Sequence, residues 1–243
     1  MQIYHLKRDG APINTTSAIP DGDYERPSPS PSRGLGQRSQ IHTILGSRFP
    51  NHDQVLVLME EFFDTVHWFS LVIYEPTFRK LLSTVADGYA YPSDAPFLTL
   101  LCVVLSMACW YRANQSDDSA YRQEWQDWSD ELRGVVEGRM LQLLGQPSLT
   151  AIQTCILLGS HHVYHGQPNL SFSLLGATIK MAQALGLHRH STRGDTHSIE
   201  ERKRVWWTIY TWDRYGRQLF CSRHLLTYNQ ICLHLTLPSC EYK

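Results

Sequence analysis

The chain has 243 residues, 42% apolar and 19% charged, a globular balance with material for one large domain or two small ones. A formal net charge of -1 and an isoelectric point near 6.9 leave no basic footprint for a phosphate backbone, and no clustered basic face is visible in the sequence. The longest apolar run, Phe97 to Tyr111, falls short of the ~18–20 residues that cross a bilayer, so a buried helix and no membrane span are expected.

Residues 1–50 are expected to form a disordered leader or linker. Asp21–Gly36 crowds Pro27, Pro29, Pro31, Gly22, Gly34 and Gly36 among serines and charges, too little apolar surface to fold. The start, MQIYHLKRDG, has no apolar core of a signal peptide, which makes an intracellular, reduced setting the expectation. Order is expected from Asn51, an N-cap, followed by Val55, Met59, Phe62, Val66 and Phe69 at helical spacing. Pro76 suits the first turn of a second helix that runs to about Ala86 and ends at Asp87-Gly88. Asp94 and Pro96 open the Phe97–Arg112 helix, apolar nearly all round and therefore central.

After a polar break at Asn114–Ser119, an amphipathic helix places Tyr121, Trp125, Trp128, Leu132, Val136, Met140 and Leu143 on one face. Gly134 and Gly138 within it suggest close packing. Ser148 caps a helix bearing Ile152, Ile156, Gly159 and Val163, and Asn169 or Ser171 caps its partner with Leu175, Ile179, Ala182 and Leu185. Gly159 and Gly176 would let the two backbones approach. Gly186 is the left-handed residue that closes this helix, with Leu187 folding back on the last turn. Ser198 and Glu201 have capping-box spacing for a last helix with Val205, Ile209 and Trp212 on one face, and Trp206 and Asp213 on another. Only Ile231–Leu237 hints at alternation. The fold expected is all-α, an irregular multi-helix bundle of antiparallel helix hairpins.

No glycine-rich phosphate loop or nucleophile elbow occurs. His161 and His165, four apart, could share a helix face as metal ligands, with His188, His190 or His197 as a third; yet no glutamate makes an HExxH motif, and hydrogen-bonded or solvent-facing histidines are the plainer reading. The six cysteines, Cys102, Cys109, Cys155, Cys221, Cys232 and Cys240, lack the short gaps of metal knuckles. Most of Trp206, Trp207, Tyr210, Trp212 and Tyr215 are expected in the core. Asp213 among them needs a cation, Arg217 or Arg189, to form a buried pair that fixes helix docking.

Two blocks carry a family resemblance. Ala182-Gln183-Ala184-Leu185-Gly186-Leu187-His188-Arg189 resembles the "A-x-x-L-G-L-H-R" ending, and Glu201-Arg202-Lys203-Arg204-Val205-Trp206-Trp207 with Asp213-Arg214 resembles the "E-x-R-R-x-W-W … D-R" helix, of the fungal-specific transcription-factor regulatory domain. This domain, the middle homology region, lies downstream of binuclear zinc clusters and is similar to the regulatory region of xylanolytic-type activators. Pro76-Thr77-Phe78 is similar to the family's opening region. The resemblance implies transcription regulation in the nucleus rather than catalysis, and a regulatory domain over residues 51–243 that stops short of the family's final helices. It also implies partners among other regulators or a full-length relative, and an unknown small-molecule effector. Zinc is expected only in the family's six-cysteine cluster, which this chain lacks, so DNA contact by the chain itself is not expected. The rival readings are a metal-dependent enzyme built on His161/His165 and a truncated remnant without function.

Overall fold

A 21-residue helix that is apolar on every face has to be surrounded, and the rest of the chain does this. The structure, a computed structural model, describes residues 36–67, 71–189 and 195–221, with side chains to Arg214. In chain order the elements are β1 (Ser39–Gln40), α1 (Ile41–Leu45), α2 (His52–Glu61), a π-helical turn (Phe62–Val66), α3 (Glu75–Ser83), β2 (Tyr89–Ala90) and a 3-10 turn (Pro92–Asp94). Then follow α4 (Ala95–Gln115), α5 (Ser119–Gly138), α6 (Met140–Gly145), α7 (Leu149–Tyr164), α8 (Pro168–Ala184) and α9 (Thr196–Cys221). The architecture is all-α; the two strands pair antiparallel over only two residues each.

Helix α4 lies at the centre, packed by α5 on one side, α7 on another and α2 with its π turn on a third. Leu98, Leu101, Val103, Val104, Leu105 and Ala108 are fully buried. Although α4 with its 3-10 lead-in is long and apolar enough to cross a bilayer, 72% of its apolar window is buried inside the bundle. Helix α8 packs on α7 as an antiparallel hairpin partner, and α9 lies against both. Polar links cross the core as well: Ser106 Oγ donates to the Ser129 carbonyl at 2.8 Å and Ser129 Oγ donates to the Ser106 carbonyl at 2.9 Å, locking α4 to α5.

Packed structure begins earlier than Asn51. Ile41 and Leu45 are buried, the Ile41 N–H donates to the Gly88 carbonyl at 3.0 Å, and Arg38 forms an ion pair with Asp87 at 2.6 Å. The tie escapes periodicity because α1 is one turn long and its partners lie nearly fifty residues away. The Asn51 cap is present as a full capping box with Gln54, the Gln54 N–H donating to Asn51 Oδ1 at 2.8 Å. Phe69 lies outside the described residues.

Other boundaries shift for local reasons. Helix α3 ends at Ser83, before Ala86, and the following turns reach Gly88 at φ +78°. The Asp94 carboxylate accepts from the Tyr91 N–H at 3.0 Å and does not cap α4. The expected helix from Tyr121 to Leu143 divides at Arg139 into α5 and α6, with Asp118 as N-cap of α5. A methyl group added at Gly134, Gly138 or Gly176 would meet nothing within 4 Å, so close packing does not explain these glycines; only at Gly159 does a neighbour, Ser171 Oγ, come to 3.5 Å. Helix α8 starts at Pro168, not behind Asn169 or Ser171, because proline at N1 opens it directly. Ser148 caps α7 as expected, accepting from the Ala151 N–H at 3.0 Å. Ile231–Leu237 lies outside the described residues.

Candidate functional site

The two sequence blocks meet at the junction of α8 and α9. Gly186 takes φ +66°, which an L side chain adopts only at a cost. Its N–H donates to the Gln183 carbonyl and the Leu187 N–H to the Ala182 carbonyl, both at 3.0 Å, forming the paired bonds of a Schellman ending. Leu187 is buried against the core, while His188 and Arg189 are exposed, the His188 ring lying 5.8 Å from that of Trp206. Arg202 reaches back from α9 and donates Nη2 to the Leu185 carbonyl at 3.0 Å, satisfying a C-terminal acceptor of α8.

Helix α9 begins at Thr196, two residues before the expected Ser198. Ser198 and Glu201 therefore sit inside the first turns, past the positions a capping box requires. Glu201 serves instead as an acceptor for the buried Gln153 of α7, whose Nε2 lies 2.9 Å from Glu201 Oε1 and 3.0 Å from the Val72 carbonyl. Close by, His197 stacks on Tyr74 with ring centres 5.4 Å apart, and its Nδ1 is 3.1 Å from the tyrosine hydroxyl. Sequence reading missed Gln153 and Tyr74. The available signal was a polar residue inside an apolar helical run, which must find a partner when buried.

On α9 itself, Val205 and Ile209 are fully buried and Trp206, Trp212 and Asp213 are half-buried. Trp207 is 60% exposed and Tyr210 39% exposed, which corrects the expectation that most of these aromatics are core. The reason is phase: Val205, Ile209 and Trp212 form the inward stripe, and positions 207 and 210 fall opposite it. The two outward rings meet edge to face at 5.5 Å. Arg214 lies over the Tyr210 ring and donates Nη2 to its hydroxyl at 2.8 Å. Arg204 pairs with Glu200 at 3.2 Å. Of the two cations expected for Asp213, Arg189 is exposed and pairs with no carboxylate among the described residues, and the side chain of Arg217 lies outside them.

The histidines do not converge. His161 is buried at 1% exposure, its ring stacked parallel on His165 at 3.9 Å and 10°. Its Nε2 lies 3.4 Å from Ser106 Oγ, and the His165 Nδ1 donates to the His161 carbonyl at 2.8 Å. Parallel stacked imidazoles direct their lone pairs sideways rather than at one point. Burial, then His165, Arg133 and His162, pushes the His161 pKa down to about 2, and burial lowers that of His162 too. Both are neutral core side chains. His188 and His197 are engaged with Trp206 and Tyr74, and His190 lies outside the described residues.

Among the described residues no group of three or more histidine, cysteine or acidic side chains could hold a metal ion. Cys102, Cys109 and Cys155 are buried in α4 and α7, and burial pushes their thiols up to about 12, 12 and 11. Buried protonated thiols on separate helical turns do not fit a zinc cluster. An open cleft of about 340 Å³ is walled by residues of α1, the start of α2 and the α3–β2 turn, among them His42, Phe49, His52, Val55, Val85 and Tyr89. It includes none of the α9 aromatics.

The signature residues of this all-helical bundle thus join α7, α8 and α9 at one junction. The chain belongs to the family described as the fungal specific transcription factor domain, which matches residues 59–240. It is 29% identical over 172 residues to the thiamine repressible genes regulatory protein of Schizosaccharomyces pombe, covering 70% of this chain and 22% of that protein. It is 27% identical to an ABC-transporter-regulating transcription factor of Aspergillus fumigatus, covering 68% of this chain and 18% of that protein. With the aurofusarin cluster transcription factor of Gibberella zeae it shares 25% identity over 211 residues, 81% of this chain and 31% of that protein. No solved structure matches. The chain thus spans less than a third of the length of these relatives, all named as transcription regulators.

Proposed function

We propose that the chain is the regulatory and interaction module of a fungal zinc-cluster-type transcription regulator, working in the nucleus through other regulators or a longer relative. The observation that supports this reading is the folding together of both family blocks, Gly186–Arg189 and Arg204–Arg214, at one helix junction inside a matched domain. In this reading Gly186, Leu187, Trp206 and Asp213, with Arg202 reaching the Leu185 carbonyl, set how α9 docks, and Arg204, Trp207 and Arg214 face outward. In this reading zinc and DNA contact belong to the family's six-cysteine cluster, and a small-molecule effector acts by shifting the docking of helices.

Fusing the chain to a heterologous DNA-binding domain tests the reading in a yeast reporter strain. Reporter output is expected to change about fivefold or more relative to the DNA-binding domain alone; unchanged output rejects the regulatory role. A fluorescent fusion is expected in the nucleus. Tight, sequence-specific retardation of duplex DNA by the purified chain would overturn the claim that it makes no DNA contact.

A further inference from the structure

Lys203, Trp207, Tyr210 and Arg214 follow one another at steps of four, three and four residues, which places them in a single stripe along α9. All four are exposed, and the stripe is diametrically opposite the buried Val205 and Ile209. Its centre is two aromatic rings in edge-to-face contact, and its ends are cations. Neither Lys203 nor Arg214 has a carboxylate partner among the described residues; Arg214 is instead held over Tyr210 by its hydrogen bonds. The neighbouring Arg204 is already neutralised by Glu200. A tryptophan 60% exposed forgoes much of the ~2–3 kcal/mol that burying such a side chain contributes. Tryptophan, tyrosine and arginine are also the residues that dominate binding energy at protein interfaces.

We propose that this stripe docks an acidic amphipathic helix of a partner protein. Complementarity fixes the partner's pattern: an apolar side chain or two to cover Trp207 and Tyr210, bracketed by carboxylates that meet Lys203 and Arg214. The two cations are eleven residues apart on one helix, about 16 Å, so the carboxylates belong roughly three helical turns apart. Duplex DNA is the poorer fit. The chain carries a net charge of -1, Arg204 of α9 is paired with Glu200, and although the helix has more cations than acids the centre of the stripe is aromatic rather than cationic.

The inference rests on the reading of the chain as an interaction module, and the test separates the two. The probe is a fluorescein-labelled 18-residue alanine-based helix with two central leucines and glutamates three turns apart, titrated with the purified full chain by fluorescence polarisation. It is expected to bind about tenfold more tightly than the same peptide with glutamine for glutamate, and to weaken as salt is raised. Trp207→Ala is expected to cost about tenfold in affinity, and Lys203→Glu and Arg214→Glu about fivefold each, with melting temperatures unchanged at these exposed positions. Equal binding of the glutamate and glutamine peptides, unaltered affinity in Lys203→Glu, or stronger competition by a 20-base-pair duplex at the same site overturns the proposal. Reporter output that survives Trp207→Ala while the peptide does not bind removes this surface and leaves the module reading standing. Peptide binding without any reporter output does the reverse.

Discussion

Gln153 of α7 donates its side-chain amide to Glu201 of α9 at 2.9 Å, and the same nitrogen lies 3.0 Å from the Val72 carbonyl. One buried side chain thereby joins α9 to the segment that precedes α3. Gln153→Leu is expected to strip the Val72 carbonyl of this donor and lower unfolding free energy by about 1–3 kcal/mol. Urea denaturation followed by far-UV circular dichroism measures it; an unchanged midpoint would show that the bond contributes nothing.

Acid should weaken the bundle through His161. Its folded-state pKa lies at about 2, against the ordinary value of 6.5, because burial excludes the charged form. The unfolded chain therefore binds a proton that the folded chain refuses. Stability is fully present above pH 6.5 and falls as pH drops toward 2, by about 1.4 kcal/mol per pH unit for this group. The lowered pKa of His162 acts in the same direction. Between pH 6.5 and 5 His161 alone should cost wild type about 1–2 kcal/mol, and His161→Gln should show a visibly shallower slope. Parallel slopes in the two proteins would contradict the assignment.

Two glycines should respond with opposite sign. At Gly186, φ is +66°, so alanine forces a left-handed conformation and is expected to cost about 1–2 kcal/mol. Gly134 is exposed in α5, one turn before its end, with nothing within 4 Å of an added methyl group, so alanine should stabilise by about 0.5–1 kcal/mol. Thermal melts of the two single variants decide between them, and a destabilised Gly134→Ala would point to a contact that the structure does not show.

Arg112 links α4 to α2 through Glu61 at 2.8 Å and covers the Trp125 ring of α5 at 5.0 Å. Burial raises the Glu61 pKa against the opposing pull of this arginine. Arg112→Leu is expected to destabilise by about 2 kcal/mol. Adding Glu61→Leu should restore part of that loss, because the carboxylate left behind is the costly partner. A double variant no better than Arg112→Leu alone would refute this.

Much of the bundle was legible in sequence because its signals are local. Asn51, Ser148 and the Gly186-Leu187 ending are read from the three or four residues around them, and the structure places each in that role. The tying of Ile41 to Gly88 and the pairing of Gln153 with Glu201 were not legible, since nothing local records a partner nearly fifty residues distant. The His161–His165 spacing did put both rings on one face, but spacing cannot tell stacked rings from converging ligands. On α9 the periodicity that located the inward stripe also implied that Trp207 faces away; residue type alone argued for burial, and helical phase decided.

The encasement of α4 also sets a timetable for synthesis. Ser106 and His161, which meet in the core, are 55 residues apart, so α4 leaves the ribosome well before α7 exists to cover it. At the usual ~5–20 residues per second the uncovered interval lasts about 3–11 seconds. During that time a 21-residue apolar helix stands open to chaperones and to other nascent chains. Translation arrested between α5 and α7 should therefore yield the most chaperone-bound intermediate of this domain, and arrest after Tyr164 a markedly less bound one.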